Sequence, residues 1–512
     1  MKKRITAAIL AAVLLCGCSS GNESSVNVID AGQLPVQSNL TDSENASSVV
    51  SSDTSESKPV PVNPPQTASG TVSSTSSSVP ISSGSSISAS SSSVHSAVTE
   101  KPSSSRPVSS TAESSKPVST AESLPESVSS SSTSTTKAES SLPTQIPDTD
   151  VGTNNYQALN YSEIRGVWIS YIDLADLDSS SESEFRKSIG KVYDNCVSLG
   201  INTVYVHTRS HGDAYYSSDL YPRTKYIGGS YDPLTVMVEE AHKRDLSFQA
   251  WINPLRTCSA ADIEREKGYP IYNWAGGTRL VQVGSYYYLN PAYSEVIDLI
   301  AKGAAEIVGN YDVDGLHIDD YFYPTTESWF DSSAFAQSSY ETISSFRLAN
   351  CDNMVSSLYY AVKSSNPTAI FGVSCQGNIY NNYDQMYADV KKWCRNSGYL
   401  DYIMPQIYFG FDNSAQPFET CVSQWDEIAS SGKVPLIVGL TVAKFGTEDK
   451  WAGSGSDEWI TDKDILKRQF LKAAEQVSFS GINLFSYRCI FNPDSSVADQ
   501  VNREIKALKS VM

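Results

Sequence analysis

Asp314-Gly315-Leu316-His317-Ile318-Asp319-Asp320-Tyr321-Phe322-Tyr323-Pro324 is a short β-rich run that ends in charge. Leu316 and Ile318 alternate with His317 and Asp319, so a period of two puts the apolar pair on one face and the polar pair on the other. Working outward, the same kind of run recurs at 165–170, 203–208, 247–252, 370–375, 402–406, 436–440 and 481–485. With 315–319 that makes eight strands. Amphipathic stretches at 184–199, 234–244, 293–311, 340–363, 383–396, 464–477 and 497–508 fall between and after them. Repeated βα units of this number predict an α/β fold, a (β/α)8 barrel of the TIM type. A doubly wound open sheet is the runner-up, but no Gly-x-Gly-x-x-Gly follows the first strand to make a nucleotide site.

Composition sets the limits of that domain. All 52 aromatic residues of the 512-residue chain lie at or after Tyr156, and residues 1–155 are dominated by Ser, Thr, Pro, Val and Ala. Such a segment has nothing from which to build a core, so it reads as a disordered, low-complexity tether. The folded domain is expected at 156–512, where 30 basic and 44 acidic side chains leave a net charge of −14. Gripping phosphate backbones needs the opposite sign, so no nucleic-acid partner is expected.

The first residues explain where the tether starts. Lys2, Lys3 and Arg4 precede an apolar run over 5–15, too short to span a bilayer but right for the hydrophobic region of a secretory signal. Leu15-Cys16-Gly17-Cys18 then resembles the lipobox of bacterial lipoproteins. That resemblance implies a signal peptide at 1–17, a lipid on Cys18, a linker over 18–155, and attachment to the outer face of the cell membrane. The other seven cysteines are scattered without a Cys-x-x-Cys pair, so they read as buried thiols and neither a zinc ribbon nor a dithiol site.

In a (β/α)8 barrel the chemistry gathers at the C-terminal ends of the strands. Here those ends carry Trp168 and Ser170, His207 and Arg209, Trp251 and Asn253, His317 and Asp319, Ser374 and Gln376, Gln406 and Tyr408, and Phe485 and Tyr487. A carboxylate at Asp319, followed by aromatic rings that offer flat apolar faces, can attack or stabilise an oxocarbenium-like centre on a sugar. Asp320 is the expected acid, because two adjacent carboxylates repel if both ionise and one then keeps its proton. The matching ends of strands five and six offer only Gln376 and Gln406, which carry no acidic proton; Asp213 and Glu327 are the alternatives to Asp320. Arg209 is expected to hold a carboxylate or an acidic sugar. Asn253, Gln406 and His317 are expected to hydrogen-bond the substrate, and Trp168, Tyr321, Tyr408 and Tyr487 to stack on it. Only five histidines are present and strand one lacks a His-x-His, so no metal is expected, nor any other cofactor.

The stretch around Asp319 also resembles the glycosyl hydrolase-like family ten of bacterial envelope lipoproteins. Other segments agree with it: Val206-His207-Thr208-Arg209 through Gly212-Asp213-Ala214-Tyr215-Tyr216, Ala250-Trp251-Ile252-Asn253-Pro254-Leu255-Arg256, and Tyr288-Leu289-Asn290-Pro291. Phe371-Gly372-Val373-Ser374, Tyr387-Ala388-Asp389-Val390-Lys391-Lys392-Trp393 and Asp401-Tyr402-Ile403-Met404-Pro405-Gln406-Ile407-Tyr408 extend it, so that the resemblance runs over 163–488. It implies a barrel hydrolase acting on a polysaccharide, with peptide-free peptidoglycan strands as substrate. Asp319 is similar in position to the strand-four nucleophile of the α-amylase and α-galactosidase clans, an analogy between folds. A non-catalytic glycan-binding barrel is the alternative, favoured by the two glutamines.

Overall fold

The computed structural model describes residues 152–512. The signal peptide 1–17, Cys18 and the tether up to residue 151 lie outside the described residues.

Eight parallel strands close into a barrel: β1 (Ile164–Ile169), β2 (Thr203–Arg209), β3 (Ser247–Ile252), β4 (Gly315–Ile318), β5 (Ile370–Val373), β6 (Tyr402–Ile403), β7 (Leu436–Thr441) and β8 (Phe479–Phe485). Each pairs with the next, and β8 with β1. The fold is therefore the expected (β/α)8 barrel. β5 and β6 are shorter than the sequence suggests; beyond Val373 and Ile403 only single bridges join Gln376 to Gln406 and Gln406 to Gly439. The barrel is thus looser at the mouth on this side.

The outer layer is formed by α1 (Glu182–Leu199), α2 (Pro233–His242), α3 (Ser294–Asn310), α4 (Ile343–Ser365), α5 (Val390–Arg395), α6 (Phe418–Gly432), α7 (Ile465–Ala474) and α8 (Ala498–Lys509). Their ends follow local chemistry. Ser181 caps α1 by accepting from the Glu184 N–H, and Gly200 stops it with φ 93°. Asp232 followed by Pro233 starts α2. The single helix expected over 383–396 is broken: a short helix Ile379–Asp384 ends first, Tyr387 takes a left-handed φ of 56°, and Asp389 recaps α5. Helix α6 was not among the expected elements, although its buried stripe Phe418, Cys421, Val422, Trp425, Ile428, Ala429 follows helical spacing.

Alternation divides the interior in two. Val204, Val206, Leu316 and Ile318 join the large apolar cluster between barrel and helices. Ile164, Trp168, Tyr205, Trp251, Tyr402, Met404, Tyr408 and Ile437 fill the barrel itself. Gly372 on β5 faces inward, and the Tyr402 ring occupies the space a Cβ would need there.

One insertion was not anticipated. Between β3 and α3 a three-stranded antiparallel sheet forms from Arg256–Ser259, Leu280–Val283 and Tyr286–Leu289, with the last in the centre. Gly284, at φ 61°, makes the tight turn between its last two strands. This sheet fixes the first residue after the β3 turn, Arg256, at the barrel mouth.

Candidate active site

Asp319 follows directly on β4 and is 3 % exposed. Its Oδ2 accepts from Trp251 Nε1 at 3.0 Å and from Asn253 Nδ2, two donors delivered by the end of β3. Asn253 is oriented in turn by Arg256, whose Nη2 donates to its Oδ1 and to the Ser210 carbonyl at 3.3 Å. Arg256 Nη1 donates to the Tyr321 hydroxyl at 2.7 Å, and the guanidinium carbon lies 4.0 Å from the Tyr321 ring centre. No side-chain donor reaches the buried Oδ1 of Asp319. Burial pushes the Asp319 carboxyl up to about 6, against the pull of Arg256, Trp251 and Asn253.

Below this layer lies an uncharged floor. Trp251 stacks on His207 with centroids 3.4 Å apart and planes 19° from parallel, and His207 Nδ1 accepts from the Tyr171 amide at 3.1 Å. Trp168 Nε1 donates to His317 Nε2 at 3.3 Å, while His317 Nδ1 meets the Tyr402 hydroxyl at 2.9 Å. Because Nε2 accepts, the His317 proton sits on Nδ1 and the ring is neutral; burial pushes it down to about 3.

Asp320 is also 3 % exposed. Burial and the charges of Asp320 and Asp319, in that order, hold the Tyr408 phenol well above its usual range, and Asp320 also adds to the rise of the buried Cys375 thiol. Asp320 thus lies near Tyr408 and Cys375, which follow β6 and β5. The alternative acids lie elsewhere. Asp213 Oδ1 is taken by the Ser210 N–H, the Ser210 hydroxyl and the His211 N–H, closing the turn after β2. Glu327 is exposed, on a loop whose carbonyls at Thr325 and Glu327 are gripped by the buried Arg347.

Several expected site residues are placed differently. Arg209 does not reach the mouth. His207 pairs with Trp251 but Arg209 pairs with Ile252, so a bulge at Thr208 shifts the alternation and turns Arg209 outward. There its guanidinium lies 4.4 Å from the Tyr221 ring centre, in space left free by Gly303 of α3. Tyr487 also points away: the chain turns into a short helix at Tyr487–Phe491, and the phenol accepts from Asn195 of α1 at 2.8 Å. Trp168 at 1 % exposure, His317 at 0 % and Tyr408 at 8 % form buried floor and wall around Asp319. Tyr321, Gln406, Gln376, Tyr171 and Phe485 are the half-buried residues around the opening. Asn253 sits against Asp319 as described.

The residue that sequence reasoning passed over is Arg256, quoted within a motif but given no role; its distance from strand three hid it, and the inserted sheet brings it back. A second signal lies outside the mouth. All six exposed large aromatic residues, Tyr286, Trp329, Tyr340, Tyr380, Tyr383 and Trp451, belong to segments between a barrel strand and the outer-layer helix that follows it. That is the face on which Asp319 opens.

Fold and site together define a (β/α)8 barrel of the glycoside hydrolase-like kind, with a buried carboxylate at the end of its fourth strand. The chain belongs to the glycosyl hydrolase-like 10 family, whose profile matches residues 163–453. Glycosyl hydrolase YngK of Bacillus subtilis strain 168 is 29 % identical over 357 residues, covering 63 % of this chain and 69 % of that protein. Glycosyl hydrolase DigH of Escherichia coli K12 is 27 % identical over 382 residues, covering 65 % and 85 %. Among solved structures, the glycoside hydrolase domain of PgaB from Bordetella bronchiseptica matches with a TM-score of 0.45 and 13 % identity over 68 % of this chain and 99 % of that one.

Proposed function

We propose that this protein is a glycoside hydrolase of the bacterial cell envelope that cleaves polysaccharide, with peptide-free peptidoglycan strands as substrate, and that a lipid on Cys18 holds it to the outer face of the cell membrane. The observation that carries the reading is Asp319, fixed through one oxygen by Trp251 and Asn253 with Arg256 behind them. A carboxyl near 6 is ionised at neutral pH, and its Oδ1 is the oxygen left for an anomeric carbon. Asp320, the buried carboxyl next in the chain, supplies the proton to the leaving oxygen. At 3 % exposure Asp319 is sealed, so a sugar reaches it when the half-buried side chains at the opening part. The exposed aromatics on the same face offer stacking surfaces for a long chain. Both relatives bear the name glycosyl hydrolase.

The test is release of soluble fragments from peptide-stripped peptidoglycan and from other bacterial glycans by the full chain. Asp319→Asn is expected to lower release on the order of 10³-fold with the melting transition retained. Binding without release from any glycan would sink the hydrolase reading. It would support instead a glycan-binding barrel, for which Gln376 and Gln406 at the opening speak, since neither can donate an acidic proton. The anchor is tested separately: Cys18→Ala is expected to move the protein from the membrane fraction to the soluble one.

A further inference from the structure

The loops after β2 and β3 line a half-open cavity of about 130 Å³ on the same face as Asp319. One residue separates the two sites: the Ser210 carbonyl accepts from Arg256, and its N–H and hydroxyl donate to Asp213 on the cavity wall. The cavity is lined by Arg223, Lys225 and Arg265, with Glu266 at its base and Tyr286 at its rim. Lys225 is paired with Asp262 at 2.9 Å, whereas Arg223 and Arg265 form no salt bridge among the described residues. Glu266 is 2 % exposed and its Oε2 has no hydrogen-bond partner. Burial, and then the neighbouring Asp213 charge, push its carboxyl up to about 8, so at neutral pH it carries a proton and can donate. Asp213 is already committed to its turn and Asp262 to Lys225. Beside these two hydrogen-bonded carboxylates the cavity thus presents two guanidinium groups with no carboxylate partner among the described residues, and one buried carboxyl oxygen with no partner.

We propose that this cavity is a subsite for a carboxylate-bearing substituent of the glycan, such as a lactyl ether or a uronic acid, held by Arg223, Arg265 and the Glu266 carboxyl group. Its volume equals about four water molecules. That suits a substituent and not a whole pyranose, whose ring would rest outside against Tyr286, 37 % exposed. The inference rests on the polysaccharide reading above and moves the recognition of acidic sugar from Arg209, which faces the helices, to the loops of β2 and β3.

The experiment compares binding of the full chain, carrying Asp319→Asn to prevent turnover, to peptide-stripped peptidoglycan strands and to the same strands with their carboxyl groups reduced to alcohols. Oligogalacturonate and its reduced form make the uronate arm. Carboxylate is expected to tighten binding about tenfold in at least one arm, the size of a charge-assisted contact. The ratio is expected to collapse to about one in Arg223→Gln/Arg265→Gln. If that double variant fails to fold, Arg265→Gln alone, at an exposed position, is expected to reduce the ratio at least threefold. Equal binding of native and reduced glycans, or a ratio that survives the variants, overturns the subsite. Fragment release by the unsubstituted enzyme is read alongside. Release with equal affinities leaves the hydrolase standing without the subsite, discrimination without release does the reverse, and no binding in either arm overturns both.

Discussion

Asp319 and Glu266 are both buried on the same face of the barrel, at 3 % and 2 % exposure, yet burial lifts the Glu266 carboxyl further above its ordinary value than that of Asp319. Two side-chain donors and the buried Arg256 meet Asp319 and limit its rise to about 6. Each carboxyl keeps one oxygen without a donor, but Glu266 has only the Cys258 thiol and Arg265 to set against its burial and the Asp213 charge, and rises to about 8. Depth alone does not decide whether a carboxyl can act as an anion; the donors built around it do. The largest expected break in this contrast is Arg256→Ala. It removes the charge behind Asp319 and frees Asn253, leaving Asp319 in surroundings more like those of Glu266. Turnover of glycan is expected to fall on the order of 10²-fold, and the acidic limb of the pH–rate profile to move upward toward pH 7 or beyond. A limb that stays at about pH 6 would show that Arg256 does not tune Asp319.

Stability against pH sharpens the same comparison. Both folded-state values lie above the ordinary 3.8 of Asp and 4.5 of Glu, so the folded protein holds the extra proton and loses stability as pH rises through each window. For Asp319 the loss runs from about pH 4 to 6; for Glu266 it runs from about 4.5 to 8. Asp319→Asn and Glu266→Gln each remove one of these terms and are expected to gain on the order of 1–3 kcal/mol relative to the parent at high pH. Denaturant melts at several pH values separate them. The Asp319→Asn gain levels off above pH 6, while the Glu266→Gln gain continues to grow to pH 8. Parallel curves would mean that the two carboxyls share one environment after all.

The barrel was legible because its signal is periodic. Leu316 and Ile318 outward with His317 inward is dictated by strand geometry, and nothing in β4 interrupts it. Strand ends also brought Asp319 and Asn253 forward as candidates, and the structure places the two in contact. Where the site was not legible, a local event changes the phase. The bulge at Thr208 sends Arg209 to the helix layer, and the turn into a helix at Tyr487 ends the alternation of β8. Neither leaves a mark in a pattern of apolar and polar residues, since Arg is as acceptable over Tyr221 as at a barrel mouth. Arg256 was hidden for a different reason: its place depends on pairing with Tyr288, thirty-two residues away, in a sheet that is no part of the barrel.

Arg256 also offers the smallest and most specific test of what holds it in place. Its guanidinium both donates to the Tyr321 hydroxyl and lies over the same ring. Tyr321→Phe deletes the hydrogen bond and keeps the ring, so the cation–π part of the contact survives. One neutral acceptor for a charged donor is worth about 1–2 kcal/mol when both are buried, and less here because Tyr321 is half-buried at the opening, where water can replace the hydroxyl. Turnover is expected to fall about three- to fivefold, with the pH–rate limb unmoved because Arg256 remains beside Asn253. Tyr321→Leu, which removes the ring as well, is expected to cost about tenfold and to shift the limb upward. If the two variants behave alike, the hydroxyl alone positions Arg256 and the stacking contributes nothing to the state of Asp319.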